Sequence, residues 1–235
     1  MNVLVTGGAG FIGSNLVRVL RNQYGFAVTV LDDLFTGDLN NLRGVSESIE
    51  FLEGSILDAE LLQYAVQDKQ LVFHLAARNI IVSSQDPLTD LAVNAQGTLK
   101  LLQTCQQTGD SPKIIYASTA SIYGEANCLP IPESAAVNPS SCYAVSKLAG
   151  EGYCRVFSKL YGLPVTILRY SNVYGFNQTP ANPYCGVVGK FIERALENEP
   201  LLIHGDGEQT RDFTFVEDAA EATVLAALSG QTAGM

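Results

Sequence analysis

Short unbroken apolar runs alternate along this chain with longer stretches in which apolar residues recur every three or four positions, and the alternation persists through the first two-thirds of the sequence. The runs at 2–6, 27–31, 49–52, 71–74, 113–117 and 164–169 are too short for helices and lack polar alternation, which predicts strands buried on both faces. Helices are predicted over 11–24, 58–65, 88–107 and 142–161, each long enough to cross over between parallel strands. The expected fold class is α/β, a doubly wound parallel sheet, and such sheets bind ligands at the C-terminal edge of their strands. After Arg169 the texture changes to a turn-rich loop, 171–183, and then to a helix near 187–197. Residues 1–170 are therefore read as the main domain, and 171–235 as segments of a smaller, loop-built lobe interleaved with elements that return to the sheet.

Composition narrows the partners. The 235 residues are 47% hydrophobic and 16% charged, enough for one large α/β domain with a buried core and a small appendage. A formal net charge of -10 argues against nucleic acid or an anionic membrane as partner, because both need clustered Lys and Arg. Any bound phosphate must then be held by local backbone donors and single arginines. Five cysteines (105, 128, 142, 154 and 185) include no C-x-x-C pair and read as reduced packing residues of a cytoplasmic protein. The chain opens almost directly on a strand, so no signal peptide is expected, and no apolar run reaches membrane-spanning length.

The first strand runs into Thr6-Gly-Gly-Ala-Gly-Phe-Ile-Gly13, in which Gly8, Gly10 and Gly13 fit G-x-G-x-x-G and Gly7, Gly10 and Gly13 fit the overlapping G-x-x-G-x-x-G. A turn without Cβ atoms admits a pyrophosphate to the backbone, and the following helix directs its free N–H groups and positive dipole end at that phosphate. Glycine spacing alone also describes an ordinary turn. The second strand, however, ends in Asp32-Asp33, about 20 residues past the last glycine, where a carboxylate accepts hydrogen bonds from an adenosine ribose.

Four later stretches carry candidate chemistry. His74-Leu-Ala-Ala77 closes the fourth strand with small residues, as a cofactor lying over the strand end requires, although an isolated His is more often a satisfied core residue. Two histidines without accompanying carboxylates define no metal site. Ala117-Ser-Thr119 brings hydroxyls to the end of the fifth strand, which a Ser/Thr-rich turn would equally do. Tyr143 is the only Tyr with a Lys four residues after it, Lys147, so phenol and ammonium share a helix face one turn apart. A nearby cation lowers a phenol's pKa, which would let tyrosinate act as a base near neutral pH; alone, the pair also fits an exposed helix face. Arg211, after the turn Gly205-Asp-Gly207, could clamp a substrate phosphate or pair with Asp212 or Glu208 on the surface.

With the glycine turn, Asp32, Ser118-Thr119, Tyr143-x-x-x-Lys147 and Arg169-Tyr-Ser-Asn-Val-Tyr-Gly175 in order, the chain resembles the extended short-chain dehydrogenase/reductase family, and within it nucleotide-sugar epimerases of the UDP-glucose 4-epimerase type. The resemblance covers essentially the whole chain. It implies a Rossmann domain in 1–170 that holds NAD through Gly7, Gly10, Phe11, Ile12, Gly13, Asp32, Asp33, Ser55, Ile56, Leu75, Ala76, Ala77, Ser118, Tyr143, Lys147 and Tyr170. It implies catalysis by Thr119, Tyr143 and Lys147, and a nucleotide-diphosphate sugar contacted by Thr119, Asn172 and Arg211. In that mechanism Tyr143 takes the sugar hydroxyl proton as hydride passes to NAD, the keto-sugar turns over, and hydride returns to its other face. A homodimer built on 88–107 and 142–161 of each subunit is implied as well. A reductase or dehydratase of the same family, and a catalytically silent NAD-binding module, are the competing readings. Three departures stand out. Ser55 replaces an Asp common in the family, Asn79 stands where some epimerases carry Lys, and the sequence stops at Met235 where members continue, so an incomplete substrate lobe is expected.

Overall fold

The computed structural model describes residues 1–109, 111–125, 128–178 and 186–230. Six parallel strands form the sheet: β1 (Asn2–Thr6), β2 (Ala27–Asp32), β3 (Ile49–Glu53), β4 (Leu71–His74), β5 (Lys113–Thr119) and β6 (Val165–Tyr170), in the order β3-β2-β1-β4-β5-β6. The order reverses between β1 and β4, which places the topological switch point beside the glycine turn. β1 is paired on both sides, Val5 opposite Val30 of β2 and Phe73 of β4, so its C-terminal end opens at the centre of the sheet.

Alternate strand residues supply the two cores. Val3, Val5, Val28, Val30 and Phe73 face α1 (Phe11–Asn22), whose Leu16, Val17 and Leu20 are buried against them. Leu4, Leu31, Val72, Ile114 and Tyr116 point the other way, onto α2 (Ala59–Val66) and, after two short helices α3 (Ile80–Gln85) and α4 (Pro87–Asp90), onto α5 (Thr98–Gln107) and α6 (Cys142–Tyr161). β7 (Asn172–Tyr174), α7 (Val187–Leu196) and β8 (Phe213–Phe215) follow, and α8 (Val216–Leu228) returns to pack Ala220, Val224 and Ala227 into the core beneath α1. Burial of this kind contributes roughly 25 cal/mol per Å² of apolar surface, which is why both sheet faces are covered.

Several expectations need correction. The helix expected over 88–107 is not uniform: Leu91–Gly97 forms a π-helical stretch between α4 and α5, and the extra residue per turn lets Asn94 reach back to the backbone of Arg78. β5 runs two residues past its expected end, so Ser118 and Thr119 belong to the strand. The loop at 171–183 contains β7, which pairs in parallel with β8; its residues 179–183 lie outside the described part. Cys105 and Cys154 are buried packing residues with thiols pushed up to about 12 by burial, but Cys128 and Cys142 are exposed, and Cys185 is outside the described residues. Among the described residues no helix is long and apolar enough to cross a membrane.

Candidate active site

β1 delivers the chain into a turn that only glycine can make. Gly7 has φ +73°, in the left-handed region, and a Cβ there would lie 2.7 Å from the backbone N of Ala76. A Cβ on Gly13 would lie 2.1 Å from the carbonyl oxygen of Gly7, so α1 packs onto the turn at backbone distance. Gly10 caps α1 without any side-chain hydrogen bond, which leaves the first-turn N–H groups directed outward, as a pyrophosphate requires.

Asp32, at the end of β2, is buried and receives the backbone N–H of Ala9 and of Leu34, each at 2.9 Å. Burial raises its pKa, and those two N–H groups oppose the rise. A carboxylate so anchored keeps lone pairs for a ribose diol. Beside it Asp33 makes a forked ion pair with Arg78, at 2.6 and 3.3 Å.

His74 is a core residue. Its Nδ1 lies 2.7 Å from the Thr6 hydroxyl and its Nε2 2.9 Å from that of Thr98. Thr98 donates to the Asn94 carbonyl, so its oxygen accepts from His74, and the network assigns the proton to Nε2. Burial holds the ring neutral, with its pKa pushed down to about 3.

The expected triad comes together. Ser141 caps α6 by accepting the N–H of Ala144 at 3.2 Å, which points Tyr143 and Lys147 toward the end of β5. The Thr119 hydroxyl sits close enough to the Tyr143 phenol to lower its pKa, and Lys147 Nζ sits 4.3 Å from the centre of the Tyr116 ring. The electrostatics differ from the expected tyrosinate. Burial pushes the phenol up to about 12, with Asp90 adding to the rise and Thr119 opposing it. Burial brings Lys147 down to about 8, while the carboxylates of Asp90 and Glu151 support its charge. At pH 7 the pair is thus neutral phenol and ammonium. Burial outweighs the Thr119 contact, so the neutral phenol is the favoured form.

Glu151, one turn further along α6, is fully buried. Its carboxylate receives the Ser118 hydroxyl at 2.7 Å, Arg169 Nε and Nη2 at 2.9 and 2.8 Å, and Arg155 at 3.0 Å. This cluster ties α6 to the ends of β5 and β6. Its pKa is lowered in spite of burial, through Arg169 and Ser118.

One cleft of about 460 Å³ connects these features, a size suited to a small-molecule ligand. It is lined by Gly7, Gly10, Phe11, Ile12, Gly13, Asp32, Asp33, Ile56, Leu75, Ala76, Ala77, Ser118, Thr119, Tyr143, Lys147, Tyr170 and Asn172 of the expected set. Ser55 and Arg211 do not line it: the Ser55 hydroxyl accepts the N–H of Leu57 at 3.2 Å, and Arg211 is exposed and donates to the Thr210 carbonyl at 2.7 Å. Arg78, Gln178, Val187 and Phe213 line the cleft without having been singled out in the sequence; Asn79, noted there as a departure from the family, and Tyr174, of the Arg169–Gly175 motif, line it as well. The loop bearing Gln178 is held on α1, Phe176 accepting from Asn15 at 2.8 Å and Asn177 donating to Ser14 at 2.9 Å.

Comparison with known proteins agrees with this geometry. The UDP-glucose 4-epimerase of Mycolicibacterium smegmatis is 40% identical over 231 residues, 96% of this chain and 73% of that protein. A UDP-N-acetyl-alpha-D-glucosaminuronate decarboxylase of Bacillus cytotoxicus is 38% identical over 230 residues, 95% of this chain and 70% of that protein. The crystal structure of Thermus thermophilus UDP-glucose 4-epimerase complexed with NAD superposes with a TM-score of 0.88 at 40% identity, covering 97% of this chain and 75% of that one. Residues 3–234 match the NAD dependent epimerase/dehydratase family, and with its six-stranded Rossmann sheet the chain belongs to that family, within the extended short-chain dehydrogenases/reductases.

Proposed function

We propose that this chain is an NAD-dependent epimerase acting on a nucleoside-diphosphate sugar. The observation that carries the reading is the meeting of Thr119, Tyr143 and Lys147 at the strand ends, in the same cleft as the glycine turn and Asp32. The cradle fits a dinucleotide: the Gly7 and Gly13 positions leave no room for a Cβ, and the Asp32 carboxylate is anchored at the rim. Residues 1–170 hold the cofactor, and 171–235 contribute segments of the sugar side, among them Asn172. NAD, when bound, would supply a hydride acceptor that returns what it takes. Tyr143 then takes the proton from a sugar hydroxyl and later gives it back, Thr119 holds the reacting oxygen, and Lys147 supplies a fixed positive charge.

Reaction type follows from what is missing beside Thr119. Dehydration and decarboxylation of a keto-sugar both need an acid or base at the sugar, and relatives that eliminate water carry carboxylates directly after the strand-end Thr. Here Ala120 and Ser121 occupy those positions in a 3₁₀ turn, and Glu125 is exposed and away from the cleft. Among the described lining residues the carboxylates are Asp32 and Asp33, at the glycine-turn end. Incubation with a panel of UDP-, dTDP-, GDP- and CDP-sugars, read by NMR, is expected to yield only inverted sugars without added cofactor. A 4-keto-6-deoxy product or released carbon dioxide would overturn the epimerase reading.

We also propose a homodimer. α6 buries its Lys147 and Glu151 side, yet leaves Val145, Tyr153, Val156 and Leu160 exposed, with Leu88 and Leu91 exposed on the neighbouring helical segment. An isologous contact of these faces would cover them. Light scattering at micromolar concentration is expected to give twice the chain mass of 25.2 kDa, and Val156→Glu to halve it. A monomer in the unmodified protein would rule the contact out.

A further inference from the structure

The Asp33–Arg78 pair belongs neither to the triad nor to the glycine turn, although both side chains line the cleft. Arg78 comes from the loop after β4, 45 residues beyond Asp33, and its guanidinium meets that carboxylate fork to fork. The Phe35 ring packs on the guanidinium, 4.0 Å from its carbon. Asn94 clamps the Arg78 backbone from both sides, accepting its N–H at 2.7 Å and donating to its carbonyl at 2.9 Å. Arg78 lies near enough to Asp32 for its charge to favour that carboxylate. Its Nε is buried and has no partner among the described residues, so this guanidinium retains an unused donor. An arginine is therefore held ready beside the ribose-binding carboxylate, with its fork occupied by Asp33.

We propose that Asp33 and Arg78 select the cofactor: Asp33 sequesters the guanidinium that would otherwise receive a 2′-phosphate, and the cleft therefore takes NAD in preference to NADP. The inference rests on the cofactor reading above. Two carboxylates and one guanidinium leave a net local charge of about -1, which opposes a phosphate monoester carrying about -1.5 to -2 at pH 7. A neutral side chain at position 33 balances Asp32 against Arg78 and frees a planar donor fork suited to phosphate. Selectivity then does not belong to Asp32 alone, since an arginine is present and reaches the site from a different loop.

The test is calorimetric titration of the purified full chain, stripped of nucleotide, with NAD and with NADP. The unmodified protein is expected to bind NAD more tightly. Asp33→Asn is expected to tighten NADP and narrow the ratio of the two dissociation constants by about tenfold or more. Asp33→Asn combined with Arg78→Gln is expected to lose that gain, and thermal melts of both variants check that the fold is kept. A ratio within about twofold of the unmodified protein's in Asp33→Asn, or a gain that survives in the double variant, overturns the proposal. If the unmodified protein binds neither dinucleotide, the cofactor reading itself falls and this inference with it; NAD binding with an unchanged Asp33→Asn ratio sinks this inference alone.

Discussion

Tyr143→Phe is expected to lower turnover by about two to four orders of magnitude on whichever sugar nucleotide the protein epimerises, the range for removing a positioned acid/base. Fold and cofactor affinity are expected to stay at the unmodified level. The ring of Tyr143 continues to pack, and Thr119 keeps its 3.1 Å hydrogen bond to Ser121, so loss of the phenol leaves no isolated polar group. What disappears is the only hydroxyl of α6 that meets both Thr119 and the cleft. Steady-state rates on the identified substrate, with calorimetry for the cofactor, separate the outcomes. A variant at wild-type rate would mean that another group moves the proton, whereas equal losses of rate and of cofactor affinity would make Tyr143 a cofactor-holding residue.

The largest expected effect on stability lies at Glu151. Glu151→Ala removes the partner of a guanidinium that is itself mostly buried, since Arg169 has 18% side-chain exposure and Glu151 none. Breaking such a pair from one side costs about 3–5 kcal/mol, because the remaining charge is left without compensation. In a chain of this size that is a fall of about 6–20 °C in Tm. Glu151→Leu with Arg169→Met removes both charges and is expected to recover most of the loss. Thermal melts of the single and double variants decide it: a single variant within 2 °C of the parent would show the cluster to be dispensable. The pH dependence has a definite sign. Glu151 titrates below its ordinary value in the folded protein, so its contribution is present above about pH 4.5 and is lost as pH falls through the folded pKa.

Much of this architecture is legible from the order of residues alone, for a physical reason. Strands buried on both faces have to be apolar throughout, and α6 carries its own start and stop signals, Ser141 capping its beginning and Gly162, at φ +68°, its end. The glycine turn is equally legible, since its constraint is local. What escapes is everything that depends on pairing across the chain. Strands as short as β7 and β8 fall below any periodicity, and they exist because Asn172 and Phe213 meet in register across 40 intervening residues. The π-helical stretch at 91–97 follows from what Asn94 and Thr98 must reach, which spacing does not encode. Arg78 passes for a surface residue until Asp33 is placed beside it. The phenol of Tyr143 is raised by burial, and burial is a property of the folded neighbourhood, not of a Tyr–Lys spacing.

The packing of α8 against α1 sets an order of events during synthesis. α1 leaves the ribosome well before α8, yet Leu16, Val17 and Leu20 share their core with Ala220, Val224 and Ala227, which are made about 200 residues later. At about 5–20 residues per second, roughly 200 residues of further chain leave the part of that core filled by α8 open for tens of seconds. The helix that aims its N-terminus at the cofactor is thus made well before its core is complete. During that interval its inner stripe is a surface for which chaperones and neighbouring nascent chains compete.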